Sequence, residues 1–189
     1  MTQYQSDLLN ILAERGFIHQ CSDFNGLDAL AKKGEVVCYV GYDGTAPSLH
    51  IGRLLSIMML HWLQKSGGGK PITLMGGGTT RVGDPSGRSS TRPMLSAQEI
   101  DANAETYREQ AFKILDPERV EVRPNGEWFS QMGLEPLFRL AATTTVNQLL
   151  RREDFASRMS EHRPISVLEL LYPLMQAYDS VAVHADIEL

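Results

Sequence analysis

Two runs rich in β-branched residues, joined by one helical segment, constrain the fold of this chain more than any other feature. Residues 35–43 (EVVCYVGYD) predict a buried strand, and residues 71–78 (PITLMGGG) predict a second strand that enters a glycine-rich loop. Between them, residues 51–65 (IGRLLSIMMLHWLQK) are apolar around most of a helix circumference, and GGGK ends that helix. A strand, a crossover helix and a second strand predict a right-handed βαβ unit in a parallel sheet. The predicted fold class is therefore α/β.

Helices are predicted on both sides of this unit. The first residues, MTQYQSDLLNILAERG, have the pattern of an amphipathic helix that ends at Gly16. Further along, Ser96 and Glu99 have the spacing of a capping box, and they begin a helix that Asp116-Pro117 stops. RVEVRPNGEWF then predicts a short strand and a turn.

The last third of the chain is predicted to be mostly helical up to residue 177, with a solvated charged patch at residues 151–163 (RREDFASRMSEHR). The final residues, VAVHADIEL, predict a strand that runs off the end, so we expect a piece of a longer protein. One domain fits these patterns. Its N-terminal helical segment covers residues 1–34, and a first sheet region covers residues 35–133. A helical insertion follows at residues 134–163, and residues 164–189 contain a further helix and the start of the next strand.

Composition narrows the location and the partners of the chain. No apolar run approaches the roughly 18 residues of a membrane helix, and the N-terminus lacks the order of a signal peptide, so we expect a cytoplasmic protein without membrane contact. Cys21 and Cys38 have no metal-binding spacing, nor do His61, His162 and His184, so no protein-held metal is expected. The net charge of -5 argues against broad binding of nucleic acid but leaves a local basic patch open.

The stretch PSLHIGRLL places His50 and Gly52 directly after the first strand, at the amino end of the crossover helix. In open α/β sheets, ligands bind beyond the carboxyl ends of the strands. Free backbone N–H groups and the helix dipole attract phosphate at such a position. Gly52 would let a flat ligand approach the backbone, and His50 could donate to phosphate oxygens. The alternative is that His50 is an ordinary surface histidine and Gly52 a tolerated glycine. Taken alone, a match of only four residues favours this alternative.

A second glycine-rich stretch, GGGTTRVGDPSGR, follows the second strand. It is not a Walker loop because Asp84 stands where lysine is needed, and it is not a dinucleotide fingerprint because Arg81 replaces the third glycine. Arg88 and Arg92 could clamp a polyphosphate, and Asp84 could hold an ammonium group. Asp-Pro-Ser-Gly is also a generic turn, and the loop alone leaves both readings equally open.

The segment ELLYPLMQAYDS places Tyr172, Gln176 and Asp179 on one helix face, because they are spaced i, i+4 and i+7. The other positions predict a largely buried helix, with an apolar face formed by Leu168, Leu171, Met175 and Tyr178 and extended by Leu170, Leu174 and Ala177. A buried polar stripe needs partners, either in a ligand or in a satisfied internal network. Pro173 predicts a kink or the first turn of this helix.

In this order, the three segments resemble one family. YVGYDGTAPSLHIGR is similar to the tyrosine-specific strand and HIGH signature of bacterial tyrosyl-tRNA synthetases, which are class I aminoacyl-tRNA synthetases. GDPSGR is similar to the loop that follows in that family, and YPLMQAYD to its amino-acid pocket helix. The resemblance extends from about Leu9 to Leu189. It implies a Rossmann-like parallel sheet nucleotide-binding domain with a helical insertion.

The resemblance implies activation of L-tyrosine with ATP to tyrosyl-adenylate and pyrophosphate, followed by transfer of tyrosine to tRNA(Tyr). Mg²⁺ would accompany the substrate ATP. Tyr39 and Asp179 are implied to hold the phenol hydroxyl. The other residues implied to bind tyrosine or line the adenylate site are Gly41, Asp84, Asn147, Tyr172 and Gln176. Those implied to surround ATP are Asp43, Thr45, His50, Gly52, Ser56, Arg88 and Arg92. The implied catalytic residues are Thr45, His50, Gly52 and Arg53.

Two departures from the family pattern matter. Arg53 stands where the family often has histidine or asparagine, and an arginine still donates hydrogen bonds but carries a permanent charge. The family continues into a Gly-Gly-x-Asp-Gln segment, a KMSKS loop and tRNA-binding parts, so we expect the present chain not to charge tRNA by itself. Residues 134–163 match the dimer-forming insertion of the family, which implies a homodimer.

Three alternatives remain open. The tryptophanyl enzymes share the fold, but the pair Tyr39 and Asp179 argues against them because an indole has one donor and no phenol oxygen. A class I-like nucleotidyltransferase would share the helix start without needing the face of Tyr172, Gln176 and Asp179. The alternative of a different class is a non-catalytic module kept for dimerisation or partner binding.

Overall fold

A parallel sheet lies at the centre of the computed structural model, which describes residues 4–44, 46–77 and 96–189. Its described strands, in the spatial order β3-β2-β1-β4, are β1 (Val36–Tyr42), β2 (Gly69–Met75), β3 (Glu121–Pro124) and β4 (Ile187–Glu188). All neighbouring strands are parallel, with Val36 opposite Gly69 and Tyr39 opposite Glu188. The predicted α/β class is confirmed, and the carboxyl ends of β1 and β2 meet at one edge of the sheet.

Two helices, α1 (Asp7–Glu14) and α2 (Phe24–Lys33), precede the sheet. The carboxylate of Asp28 on α2 accepts hydrogen bonds from the backbone N–H and the hydroxyl of Ser6, at 2.8 and 2.6 Å. Ser6 also caps α1, so this contact joins the start of one helix to the side of the other. The predicted end of the first helix is confirmed, because Gly16 follows it with a left-handed φ of 72°.

The crossover between β1 and β2 is the predicted helix in two parts. A 3₁₀ turn (Ile51–Arg53) precedes α3 (Leu54–Ser66), and Gly67 ends α3 with a φ of 68°. Leu60 and Leu63 of this helix are buried. Residues 51–53, which lie at the amino end of the crossover, therefore have the tighter geometry of a 3₁₀ turn rather than that of an α-helix.

The predicted capping box is confirmed at the start of α4 (Ala97–Ala111), where the side chains of Ser96 and Glu99 each accept from the other residue's backbone N–H. The helix is shorter than predicted and does not reach Asp116-Pro117. Beyond it, the N–H of Ile114 bonds to the carbonyl of Ala111 three residues earlier, which tightens the turn.

The predicted turn after β3 is a short helix, α5 (Gly126–Phe129), and the predicted helical region follows it. That region contains α6 (Leu134–Ala141), α7 (Val146–Leu149), α8 (Glu153–Ser160) and α9 (Val167–Ala182). The predicted solvated patch at residues 151–163 is wrong at one position, because Phe155 of α8 is buried. An apolar ring within a charged stretch faces the interior because its burial is favourable.

The predicted burial of α9 is wrong for most of its length. Leu174, Met175 and Asp179 are its buried residues, whereas Leu168 is 47% exposed. The helix covers the sheet with one side only. Pro173 lies inside α9, so it does not mark the first turn.

The strand predicted for VAVHADIEL is largely wrong. Helix α9 continues through Ala182, and β4 contains only two residues of this stretch. His184, with a φ of 53°, ends the helix in the left-handed conformation that usually takes glycine. The carboxylate of Asp186 then accepts from the N–H of Val37, which holds the start of β4 against β1. Val181 lies inside the helix and Val183 is its C-cap, so their intrinsic strand preference does not decide the local structure.

The sheet buries apolar side chains on both faces, because successive residues of a strand point to opposite sides. One core contains alternate residues of β1, namely Val36, Cys38, Val40 and Tyr42, with side chains from the helices before and after it. The smaller core contains Tyr39, Ile72, Leu74 and Val183. Tyr39 therefore lies on the face that α5 and α9 cover. Within the described ranges, no helix is long and apolar enough to cross a membrane.

Candidate active site

A cavity of about 260 Å³ opens at the carboxyl ends of β1 and β2, where ligands bind in open α/β sheets. The sheet side of its wall is formed by Tyr39, Gly41, Tyr42, Asp43, Leu74 and Gly76. Helix α9 contributes Glu169, Tyr172, Pro173, Gln176 and Asp179. The wall also includes Arg53, Arg152, Asp154, Phe155, Glu188 and Leu189. The predicted face of Tyr172, Gln176 and Asp179 is therefore directed at a cavity.

Asp179 is a buried carboxylate in this wall, with 4% of its surface exposed. It accepts hydrogen bonds from Nε1–H of Trp128 at 2.9 Å and from Nδ2–H of Asn125 at 3.2 Å. Burial raises the pKa of Asp179 to about 6, although these two hydrogen bonds oppose the shift. Asp179 is thus a fixed acceptor that is ionised above about pH 6.

Tyr39 lies on the same wall and is 2% exposed. Its hydroxyl is 2.8 Å from Oγ of Ser180, and burial raises the pKa of Tyr39 above its usual value. Glu188 lies opposite Tyr39 in the β1–β4 register. It accepts from Oγ–H of Ser180 and from Nε2–H of Gln176, both at 3.1 Å. This wall is therefore an ordered hydrogen-bond network.

Tyr172 and Asp43 connect α9 to the end of β1. The hydroxyl of Tyr172 donates to Oδ2 of Asp43 at 2.7 Å. Near this point, the guanidinium of Arg53 lies 5.7 Å from the ring centroid of Tyr42, an attractive cation–π contact. The cavity thus has a polar, charged side in addition to Tyr39 and Asp179.

His50 and Gly52 contact each other in the first turn of the crossover, and these contacts explain why both residue types occur there. Nδ1 of His50 accepts from the N–H of Gly52 at 3.1 Å, so His50 itself caps the 3₁₀ turn. A Cβ on residue 52 would lie 2.9 Å from the imidazole ring. The N–H of Arg53 bonds to the carbonyl of His50. The N–H groups of Gly52 and Arg53 therefore both have partners within the turn, so these two donors are not among the free N–H groups expected at this helix end.

His50 and Ser56 stay close to this turn without lining the cavity. With Nδ1 accepting, the proton of a neutral His50 is on Nε2, which is then a donor. The hydroxyl of Ser56 donates to the carbonyl of Arg53 at 3.0 Å. Asn147 on α7 is exposed and is not part of the cavity wall. Thr45, Asp84, Arg88 and Arg92 lie outside the described residues.

Several site residues were not predicted from the sequence. Asn125 and Trp128 come from the region of α5, and Ser180 and Glu188 follow Asp179 along the chain. The only signal for Ser180 was its position one residue after Asp179. In the described part of the chain, no group of three or more His, Cys, Asp or Glu residues is arranged to hold a metal ion.

Comparison with known proteins adds independent information. The family model for tRNA synthetases class I (W and Y) matches residues 31–189. The chain is 48% identical over 186 residues to a curated protein named tyrosine--tRNA ligase from Nitrobacter winogradskyi, and 51% identical over 186 residues to one of the same name from Bradyrhizobium diazoefficiens. Each match covers 96% of this chain and 44% of the relative. The chain thus spans less than half the length of these relatives.

Solved structures show the same fold. The C-terminally truncated mitochondrial tyrosyl-tRNA synthetase of Aspergillus nidulans matches with a TM-score of 0.82 and 28% identity, over 97% of this chain and 56% of that one. The tryptophanyl-tRNA synthetase of Plasmodium falciparum matches with a TM-score of 0.64 and 15% identity, over 89% of this chain and 43% of that one. The second likeness concerns the fold alone. Together they confirm the predicted Rossmann-like arrangement.

Proposed function

Because the chain belongs to the class I tRNA synthetases (W and Y), we propose that its cavity binds L-tyrosine for activation by ATP. The products of that step are tyrosyl-adenylate and pyrophosphate, and the tyrosyl group then passes to tRNA(Tyr). The relatives named tyrosine--tRNA ligase are more than twice as long as the matched region. Both reactions are therefore proposed for a chain of the relatives' full length, acting in the cytoplasm.

The pair Tyr39 and Asp179 is the observation that carries this proposal. A phenol hydroxyl entering the cavity could donate to the Asp179 carboxylate, which Trp128 and Asn125 hold in place. A phenyl ring would leave that buried carboxylate without a ligand partner, which is unfavourable. This physical difference supports selection of tyrosine over phenylalanine.

The proposed reaction requires no nucleophilic side chain. Its rate depends on how the two substrates are positioned and on how the charge of the transferring phosphate is stabilised. A carboxylate oxygen of tyrosine attacks the α-phosphorus of ATP, and the bond from that phosphorus to the leaving pyrophosphate breaks. We assign the α-ammonium group to Tyr172, Gln176 and Asp84, and the adenylate to Gly41, Asp43 and Thr45; the exposed Asn147 lies away from the cavity wall and receives no role. Arg53 already lines the cavity, where a fixed positive charge stabilises a phosphoryl transition state.

ATP is proposed to bind at the amino end of the crossover, near His50, Gly52 and Ser56. Arg88 and Arg92 would contact pyrophosphate. Mg²⁺ would arrive on the phosphates of ATP, a mode that suits an ion held chiefly by substrate oxygens and water. With Nδ1 of His50 occupied by the N–H of Gly52, Nε2–H is the ring donor that His50 can offer to ATP.

A tryptophan substrate is the nearest alternative. The relatives at 48% and 51% identity are named tyrosine--tRNA ligases, whereas the tryptophanyl structure is 15% identical. The higher identity to the tyrosine--tRNA ligases supports tyrosine rather than tryptophan as the proposed substrate.

Calorimetric titration of this chain with L-tyrosine, L-phenylalanine and L-tryptophan tests the proposal. We expect L-tyrosine to bind at least ~10-fold more tightly than L-phenylalanine, because a hydrogen bond to a charged group contributes about 1.5–3 kcal/mol. L-Tryptophan, with its larger ring system, serves as the control ligand. Equal affinities for tyrosine and phenylalanine, or no binding of tyrosine, would contradict the proposed site.

Apolar side chains exposed on the predicted insertion and the start of α9 support a homodimer. Their exposed fractions lie between 47% and 76%, and they are Leu134, Phe138, Val146, Met159, Val167 and Leu168. Exposed apolar patches of this kind mark protein interfaces. We propose that a second copy of the chain covers this surface.

Phe138→Asp is expected to shift the chain from dimer to monomer, because it places a charge within the proposed apolar contact. Size-exclusion chromatography with light scattering over a range of concentrations measures the change. Val181→Asp is the matched control, since Val181 is 64% exposed and lies at the far end of α9. A wild-type chain that stays monomeric at high concentration would contradict the dimer.

A further inference from the structure

One face of α4 lies against the segment that connects β1 to the 3₁₀ turn. We call residues 43–44 and 46–50 the connecting segment, and they belong to no helix or strand. Asn103, Tyr107 and Gln110 are spaced i, i+4 and i+7 on α4, so their side chains share one face of that helix. Each of the three forms a hydrogen bond with the backbone of the connecting segment. These side chains thus supply partners that a helix or a strand would otherwise provide.

Asn103 and Gln110 hold the connecting segment near its two ends. Nδ2–H of Asn103 donates to the carbonyl oxygen of Gly44 at 2.8 Å. Further along, the N–H of Leu49 donates to Oε1 of Gln110 at 2.9 Å, and Nε2–H of Gln110 donates to Oγ of Ser48 at 3.0 Å. Because a backbone N–H bonds only to an acceptor, the contact with Leu49 fixes the orientation of the Gln110 amide.

Tyr107 connects the middle of the segment to Arg53. Its Oη accepts from the N–H of Ala46 at 3.2 Å. Its ring is 4% exposed and lies edge-on to the ring of Tyr42, with 6.4 Å between the centroids and 81° between the planes. The guanidinium of Arg53 lies 5.7 Å from the centroid of the same Tyr42 ring. One side chain of α4 therefore supports the segment and, through Tyr42, a cation of the cavity wall.

We propose that Gln110, together with Asn103 and Tyr107, is a positioning residue for a nucleoside triphosphate. This inference rests on the proposed function, which assigns the nucleotide to Asp43 and His50, the first and last residues of the connecting segment. Among the described residues that line the cavity, none belongs to α4, so these side chains act through the segment. A segment that is ordered before the ligand arrives loses less conformational entropy on binding, and the nucleotide therefore binds more tightly.

Gln110→Met removes both polar contacts of the amide and keeps an unbranched side chain of similar length. The N–H of Leu49 then loses its partner on α4, so the end of the segment next to His50 is expected to sample more conformations. Gln98→Met is the matched control, because it makes the same change at an exposed position in the first turn of α4.

Ligand affinities give the first test. In calorimetric titrations, the dissociation constant of ATP with Mg²⁺ is expected to rise about threefold to tenfold in Gln110→Met, the effect of one hydrogen bond. The dissociation constant of L-tyrosine is expected to stay unchanged, because Tyr39 and Asp179 lie outside the connecting segment. Gln98→Met is expected to change neither constant. An unchanged affinity for ATP in Gln110→Met, or an equal loss for ATP and L-tyrosine, would overturn the proposal.

Tyr107→Phe is an independent variant, which also serves if Gln110→Met folds poorly. It keeps the ring edge-on to Tyr42 and removes only the oxygen that accepts from Ala46. We expect ATP to bind about threefold more weakly, again with L-tyrosine unchanged. Wild-type affinity for ATP in Tyr107→Phe would contradict the role of Tyr107.

A ligand-free measurement separates this inference from the proposed function. Amide hydrogen exchange followed by NMR reports how often the N–H of Leu49 loses its hydrogen bond. We expect this N–H to exchange faster in Gln110→Met than in the wild type, with the amides of β1 as the internal reference. Equal exchange of Leu49 in the two proteins would overturn the proposal. Faster exchange in the variant, without any binding of ATP by the wild type, would support the ordering by Gln110 and contradict the proposed ATP site.

Discussion

Gly69→Ala is expected to lower the free energy of unfolding by about 3 kcal/mol or more, enough to prevent folding of a marginally stable chain. A Cβ on residue 69 would lie 2.0 Å from the carbonyl oxygen of Val36 and 2.7 Å from its carbonyl carbon. These are backbone atoms of the paired strand β1, so no side-chain rotation relieves the clash. The β1–β2 register would have to open at its first pair.

Urea denaturation followed by circular dichroism measures the decrease in the free energy of unfolding. If Gly69→Ala does not fold, its yield of soluble protein is compared with that of the wild type instead. Gly126→Ala is the matched control, because a Cβ there meets nothing within 4 Å and the residue begins the short helix α5. The control is expected to stay within about 0.5 kcal/mol of the wild type. If both variants unfolded at the same urea concentration, close packing at Gly69 would not limit stability.

Local signals in the sequence predicted the elements and one face of the site. The capping box of Ser96 and Glu99 is a contact over three residues, and it forms as expected. The spacing of Tyr172, Gln176 and Asp179 fixes their common direction on any regular helix. The predicted βαβ unit places the carboxyl ends of its two parallel strands at one edge of the sheet, which is where ligands bind in open α/β sheets.

The rest of the site depends on contacts between distant parts of the chain. Asn125 and Trp128 reach Asp179 across 54 and 51 residues, and no local pattern predicts that pairing. Ser180 and Glu188 contact Tyr39 and Gln176 only because α9 continues to Ala182 and β4 is short. A longer strand, as predicted from VAVHADIEL, would have directed these side chains differently.

Asp179→Asn is expected to weaken L-tyrosine binding by about 10-fold to 100-fold while leaving L-phenylalanine nearly unchanged, so the selectivity between them falls. The carboxylate is the charged acceptor for the phenol, and a hydrogen bond to a charge contributes about 1.5–3 kcal/mol. Calorimetric titration at pH 8 measures both ligands. Equal loss for tyrosine and phenylalanine would show that the variant damages the cavity as a whole.

The same substitution changes the pH dependence of stability. Burial raises the pKa of Asp179 from 3.8 to about 6, so the folded chain binds this proton more tightly than the unfolded chain. That extra stability is fully present below about pH 4 and is lost as the pH rises through 6. Relative to Asp179→Asn, the wild-type free energy of unfolding should therefore fall by about 2 kcal/mol between pH 4 and pH 8.

Each protein must be measured at both pH values because the asparagine side chain at position 179 loses one of the two hydrogen bonds that the carboxylate accepts. Its NH₂ group must face either Trp128 Nε1–H or Asn125 Nδ2–H, and both are donors. This loss of stability does not depend on pH. It therefore cancels when the free energy of unfolding of one protein at pH 8 is compared with that of the same protein at pH 4. Parallel stability curves for wild type and Asp179→Asn would show that Asp179 is not held as a costly buried charge. A falling wild-type curve together with lost tyrosine selectivity would show that one carboxylate lowers stability at neutral pH and supplies the selectivity of the site.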